Sequence, residues 1–219
     1  MSAGADEAGR GPLIGPMVVA GVVLSKGAAR KLRELGVTDS KRLSPKRREE
    51  LYPLIIENSE SYAFEVIEPR RIDEAVSKGM LNYLEAEVMA GVIKELGPSS
   101  AILDSPMRNC RKFVEIVKGF LEGMNVRIRA ENFADAKYVQ VASASIIAKV
   151  ERDKRVKELS LRTGLDLGSG YPHDPKTREA IAKIVCGVEF PRDQVRWKWA
   201  TVRNILSNIR SGSIEDFLC

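Results

Sequence analysis

Histidine is almost absent from this sequence: among 219 residues there is one, His173. Cysteine is scarce as well, with Cys110, Cys186 and Cys219 widely spaced and no CxxC pair. An odd, scattered set of thiols argues against a disulfide framework and points to a reducing, cytoplasmic setting. No internal repeat, low-complexity tract or linker divides the chain. Nor is there a long hydrophobic run: residues 13–24 are apolar but interrupted by Pro16, and too short to cross a bilayer. Asp6 and Glu7 stand where a signal peptide would need cations. A soluble, intracellular protein is expected.

Apolar residues make up 44% of the chain and charged residues 30%, ordinary proportions for a globular protein with one sizeable core and at most a small appendage. Lys and Arg number 35 against 30 Asp and Glu, a net charge of +5. That mild excess is compatible with a polyanionic partner without requiring one. Hydrophobic periodicity gives an α/β alternation. Residues 2–7 and 17–24 read as strands, the second rich in valine and expected at the centre of a sheet. Helices are expected over 28–35 and, opened by Ser44-Pro45, over 45–58. A strand over 62–67 is followed by helices over 69–77 and 81–96, each closed by a glycine. Then come a short strand at 101–103, a helix at 111–121, a strand at 126–130 and a long helix from Tyr138 to about Leu161. The last third shows no strand pattern, and helices are expected over 176–185 and 197–209.

Against this background one stretch stands out, Gly4-Ala5-Asp6-Glu7-Ala8-Gly9-Arg10-Gly11-Pro12. Adjacent carboxylates repel, and closeness raises the cost of ionising both. A fold keeps such a pair if water bathes it or a cation neutralises it. The flanking glycines allow close backbone approach, and arginine pairs with phosphate, so the stretch reads as a metal-and-phosphate site. Asp104 ends the strand at 101–103, and Asp135 lies between the strand at 126–130 and the long helix. Ligands of open α/β sheets gather beyond such strand ends. Carboxylates converging there without histidine or cysteine select hard ions such as Mg²⁺ or Mn²⁺ rather than zinc. Side chains alternate along a strand, so either the chain bends at Ala8-Gly9 or one of Asp6 and Glu7 contributes through its backbone or a water.

These residues resemble the opening motif of type 2 ribonucleases H, the ribonuclease HII family, with Ile14-Gly15-Pro16 following. The resemblance continues at Asp39-Ser40-Lys41-Arg42-Leu43-Ser44, Asp104-Ser105-Pro106 and Ala134-Asp135-Ala136-Lys137-Tyr138. It runs on through Ser143-Ala144-Ser145-Ile146-Ile147-Ala148-Lys149-Val150, Arg152-Asp153 and Gly168-Ser169-Gly170-Tyr171-Pro172. The blocks keep the family's order, span residue 4 to about residue 203, and are most similar to archaeal members. Glu131-Asn132-Phe133 departs from the basic or histidine-containing version of the family, and His173 stands where a serine is usual.

The resemblance implies a ribonuclease H-like α/β fold, a central mixed β-sheet flanked by helices. A catalytic core over 1–160, a helical extension packed on it over 161–210 and a flexible tail over 211–219 are expected. It implies a metal-dependent endonuclease that hydrolyses the RNA strand of RNA–DNA hybrids and incises duplex DNA at an embedded ribonucleotide, leaving 5′-phosphate and 3′-hydroxyl ends. Asp6, Glu7, Asp104 and Asp135 would be the catalytic set, holding two divalent ions (Mg²⁺ or Mn²⁺) that flank the scissile phosphate. Gly9, Arg10, Gly11 and Tyr171 would read the 2′-hydroxyl and the neighbouring sugar.

Lys41, Arg42, Lys149 and Arg152 are candidates for backbone phosphates, and the last two, three apart, share a helix face. Trp197 and Trp199 read as packing anchors, and His173 is given no role. Ile214, Phe217 and Leu218 in the tail are similar to the peptide by which replication enzymes dock on a sliding clamp, with Ser211 in place of the usual glutamine. A monomer is expected. The acids alone also fit a junction resolvase or integrase-like enzyme of the same fold, or a non-catalytic nucleic-acid-binding module.

Overall fold

The computed structural model describes residues 1–38 and 43–210; Asp39, Ser40, Lys41, Arg42 and residues 211–219 lie outside the described residues. The strands are β1 (Ser2–Ala8), β2 (Met17–Leu24), β3 (Ser61–Ile67), β4 (Ser100–Asp104) and β5 (Arg127–Glu131). The helices are α1 (Lys26–Glu34), α2 (Pro45–Asn58), α3 (Pro69–Ser77), α4 (Leu81–Leu96), α5 (Cys110–Phe120), α6 (Val139–Thr163), α7 (Pro175–Val185) and α8 (Ala200–Arg210). Local chemistry sets the boundaries. Ser25 and Ser44 accept hydrogen bonds from Ala28 N–H and Arg47 N–H, capping α1 and α2.

The five strands form one mixed sheet in the order β3-β2-β1-β4-β5. β1 runs antiparallel to β2 and parallel to β4, and β4 runs parallel to β5. The expected ribonuclease H-like α/β class is therefore observed. β1, and not the valine-rich β2, takes the middle position. Every residue of β2 is buried, but continuous burial marks any strand covered on both faces, and one such strand cannot be told from another by composition. The three parallel strands, β1, β4 and β5, end on one side of the sheet, where the acids lie.

The chain divides into two compact units. The first comprises residues 1–8, 18–66 and 81–151, and so contains nearly all of the sheet. Its core joins Val18, Ala20 and Val22 of β2 to Leu51 and Ile55 of α2 and to Ala144, Ile146 and Ile147 of α6. Gly4 of β1 lies directly against α6: a Cβ there would come within 2.3 Å of Gln140 C and Val141 N. Strand and helix backbones touch, and only glycine allows it. The second unit comprises residues 9–17, 67–80 and 152–219. Among the described residues its core gathers Leu13 and Ile14 with Val156, Leu159, Leu167, Ile181, Phe190, Val195 and Val202, and Trp197 and Trp199 pack against it as anchors.

Candidate functional site

Asp6 sits on β1 opposite Ala20, and Glu7 opposite Val19. Pairing stays regular through Ala8↔Val18, and the chain turns at Gly9 with φ of 86°. The strand therefore does not bend to bring its two acids together. Asp6 folds back on itself instead: its Oδ1 accepts from Glu7 N–H at 2.8 Å. Both side chains then contribute through carboxylates. Asp6, Glu7 and Asp104 each offer a carboxylate oxygen, all within 4.8 Å of one another.

Asp104, the last residue of β4, accepts from Ala134 N–H at 2.6 Å. This ties the end of β4 to the 3₁₀ turn Ala134–Ala136, which carries Asp135. Asp135 is 2% exposed and stands outside the three-carboxylate group, yet close enough for its charge to act on Asp6. The departures from the family at 131–133 have local structural roles. Glu131 accepts from Lys137 Nζ and Tyr138 OH, both at 2.8 Å, which holds its carboxyl down at about 2. Asn132 Nδ2 donates to Ser105 O at 2.8 Å and to Met107 O at 2.9 Å, fastening the loop beyond Asp104. Phe133 takes a left-handed φ of 58°.

The electrostatics are those of crowded anions. Burial pushes the Asp6 carboxyl up; Lys149 and a Ser145 hydrogen bond oppose this, while Asp135 adds to it. Glu7 rises well above the usual carboxylate range, through burial first and then through Glu85, Asp6 and Asp104. Its Oε2 is enclosed without a hydrogen-bond partner. An oxygen-only group of mutually repelling carboxylates, one with an unsatisfied buried oxygen, fits a hard divalent cation. Lys149 lies partly buried, its amine donating to the Ser145 hydroxyl.

Glu85, fully buried on α4, escaped the sequence reading. Its only signal was its place among apolar neighbours, Leu84 and Ala86, on α4, and Glu87 two residues on is exposed. Ser145 and Asn132 stood only inside motif blocks with no role of their own, since short polar residues are common in any loop or helix.

The second unit holds Gly9, Arg10, Gly11, Arg152 and Tyr171. A Cβ on Gly9 would meet Pro16 O at 2.7 Å, and one on Gly11 would touch the Tyr171 ring at 3.8 Å. The Arg152 guanidinium lies 4.9 Å from the Tyr171 ring centre, a cation–π contact. Arg152 is only 3% exposed, so it does not stand on a solvated helix face. Its Nη1 donates to Asp153 at 3.0 Å, while Nε and Nη2 are buried without hydrogen-bond partners. His173 lies beside Tyr171, ring centres 5.6 Å apart. Lys41 and Arg42 are outside the described residues, as are Ile214, Phe217 and Leu218. Arg196 was not singled out by the sequence, where it looks like any other cation. It is fully buried, and its guanidinium donates to the carbonyls of Gly9, Arg10 and Gly15.

The family model for ribonuclease HII matches residues 3–202. The ribonuclease HII of Archaeoglobus fulgidus is 42% identical over 221 residues, covering 99% of this chain and 100% of that protein. That of Pyrobaculum neutrophilum is 44% identical, over 93% of this chain and 96% of its own. Among solved structures, ribonuclease H2 from Pyrococcus horikoshii superposes with a TM-score of 0.85 at 38% identity, covering 95% of this chain and 98% of that one. The A. fulgidus enzyme, solved in a complex with PCNA, gives 0.84 at 40% identity, over 94% and 96%. No helix among the described residues is long and apolar enough to cross a membrane. A sheet whose parallel strands end in a partly buried group of carboxylates and likeness over almost the whole chain lead to one conclusion: the chain belongs to the ribonuclease HII family, divalent-metal-dependent endonucleases that degrade the RNA of RNA–DNA hybrids.

Proposed function

We propose that Asp6, Glu7, Asp104 and Asp135 are the catalytic set and hold two divalent ions, Mg²⁺ or Mn²⁺. Such ions lower the pKa of attacking water and neutralise charge on the scissile phosphate and its leaving oxygen. The observation that carries this reading is the approach of three carboxylate oxygens within 4.8 Å of one another, a costly arrangement of like charge unless cations join it. Asp6, held by Glu7 N–H, and Asp104, held by Ala134 N–H, present oriented oxygens. Lys149 offsets part of the negative charge at Asp6.

Specificity lies with Gly9, Arg10, Gly11 and Tyr171. Glycine lets a backbone meet the ribose closely, and the 2′-hydroxyl is the group that separates RNA from DNA. An aromatic ring can lie against the neighbouring sugar, which suits cleavage at a single ribonucleotide in duplex DNA as well as in hybrids. Arg152, with two buried unpartnered donors, and Lys149, Lys41 and Arg42 contact backbone phosphates, which fix register without reading sequence. Residues 1–160 act as the catalytic core and 161–210 as its helical extension. The protein works as a cytoplasmic monomer and docks on a sliding clamp through Ile214, Phe217 and Leu218. The relative from A. fulgidus, solved with PCNA, supports the clamp as a partner.

The test is cleavage of three duplexes: an RNA–DNA hybrid, DNA with one ribonucleotide, and all-DNA. With Mg²⁺ or Mn²⁺ the first two are cut, leaving a 5′-phosphate and a 3′-hydroxyl, and the third is not. Asp104→Asn loses the activity. Cutting that survives chelation, or an Asp104→Asn enzyme of ordinary rate, refutes the reading. Removal of residues 211–219 abolishes clamp binding in the same preparation; retained binding refutes the docking peptide.

A further inference from the structure

The end of the sheet away from the carboxylates carries a feature of its own. Leu24 of β2, Ser2 of β1, Ser100 of β4 and Arg127 of β5 stand in one row across four strands, paired Ser2↔Leu24, Ser2↔Ser100 and Ser100↔Arg127. Asp6 and Asp104 lie four residues further along β1 and β4, about 13 Å away at roughly 3.3 Å per residue. At that row opens a cavity of about 570 Å³, lined also by α1 and by the first residues of α6, Val139 and Gln140.

The charge of the cavity is of one sign. Lys26, Arg30, Arg33 and Arg127 line it, and among the described residues no Asp or Glu does, in a chain whose cations and acids nearly balance at 35 against 30. Lys26, Arg30 and Arg33 fall at i, i+4 and i+7, one stripe of α1, and Arg127 comes to the same space from β5. Arg30 pairs with Glu34 at 3.1 Å, whereas Lys26, Arg33 and Arg127 have no carboxylate partner among the described residues. Like charges at helical spacing repel, and a bound anion relieves them. The positive end of the 25-residue α6 adds to the same field. Leu24, Ala29 and Val139 give the cavity an apolar wall. Its volume is that of a small-molecule site, too little to admit a duplex. Arginine forks match phosphate, and the wall suits a flat, weakly polar ring.

We propose that this cavity binds a nucleoside polyphosphate, its phosphates on Lys26, Arg33 and Arg127 and its base against Leu24, Ala29 and Val139. The site is separate from the carboxylates at the other end of the sheet, and it stands whatever part each of those acids plays.

The test is calorimetric titration of ATP into the full chain with EDTA present, so that no metal ion can bridge the nucleotide to the carboxylates. One ATP binds per chain. Arg33→Ser and Arg127→Ser each weaken it about tenfold, as expected for losing a charge-assisted hydrogen bond. Arg178→Ser, which removes an exposed charge from α7, leaves the affinity within about twofold, because exposed charges beyond a Debye length are screened. Inorganic triphosphate binds about tenfold more weakly than ATP, since it leaves the apolar wall uncovered. Arg33 and Arg127 are exposed, so both variants melt as wild type does, and with Mg²⁺ both cleave an RNA–DNA hybrid at the wild-type rate. Absence of saturable ATP binding, or an equal loss in all three variants, overturns the inference. Triphosphate binding as tightly as ATP overturns the assignment of a nucleoside. A single-stranded oligonucleotide that binds at these arginines more tightly than ATP, or slowed hybrid cleavage in the two variants, makes the face part of a nucleic-acid path and overturns the inference as well.

Discussion

Among the described glycines, Gly4→Ala is the most severe single-methyl change. The added Cβ would sit 2.3 Å from Gln140 C and Val141 N and 2.5 Å from Gln140 O. Non-bonded carbons want about 3.5–4.0 Å, so β1 and α6 must part by more than about 1 Å. The contacts are backbone, with no rotamer to turn, and packed interiors transmit such strain instead of absorbing it. Overpacking of this kind costs about 3 kcal/mol or more. At roughly 2–4 °C per kcal/mol for a chain of this size, the melting temperature falls by roughly 6–12 °C. Activity suffers further, because α6 carries Ser145 and Lys149, which act on Asp6. Two other glycines calibrate the argument. At Gly21 the close contacts of a Cβ are side-chain atoms, Val92 at 2.6 Å and Leu96 at 2.8 Å, with the Gly4 carbonyl at an ordinary 3.6 Å, so Gly21→Ala costs about 1–2 kcal/mol. At Gly27, in the first turn of α1, nothing lies within 4 Å, and Gly27→Ala gains about 0.5–1 kcal/mol. Thermal melts of the three variants, alongside metal-dependent hybrid cleavage below the transition, test the order. A Gly4→Ala protein that melts within about 2 °C of wild type, or above Gly21→Ala, refutes the reasoning.

Two more perturbations address the carboxylates and their loop. Glu7 titrates higher in the folded than in the unfolded chain, so its contribution is fully present below the ordinary carboxylate range and is lost as pH rises toward its raised native value. Glu7→Gln therefore raises the melting temperature in chelator at neutral pH, with a smaller effect near pH 4. It also shrinks the increase that Mn²⁺ gives the wild type; a variant that melts lower than wild type in chelator at neutral pH contradicts the account. Phe133 holds φ of 58° and is 67% exposed, so Phe133→Gly relieves about 1 kcal/mol of left-handed strain. Calorimetry should show a higher transition, and a lower one means that the ring supports the loop.

Much of the architecture was legible because local rules wrote it. Serine caps, Pro45 and Pro69 at helix starts and glycines just past α3 and α4 set boundaries that the structure shows within a few residues. The acids were legible too, since Asp104 and Asp135 follow strands and Asp6-Glu7 stand beside glycines. What could not be read was reach. That β1 lies at the centre follows from its pairing with residues nearly a hundred positions away in β4. That Glu85 adds its charge to Glu7 depends on how α4 packs. Arg152 and Arg196 look like ordinary cations in the sequence, yet the fold buries both.

By itself, then, the chain determined its helices, its strands, the family and the places of the candidate acids at strand ends, because caps, periodicity and short motifs act between near neighbours. Tertiary structure alone decided which strand is central, which fifth acid presses on Glu7 and which arginine grips the Gly9–Gly15 turn. Burial and Coulomb terms depend on distance in space, and 186 residues of sequence separate Arg196 from the Arg10 carbonyl it holds at 3.0 Å.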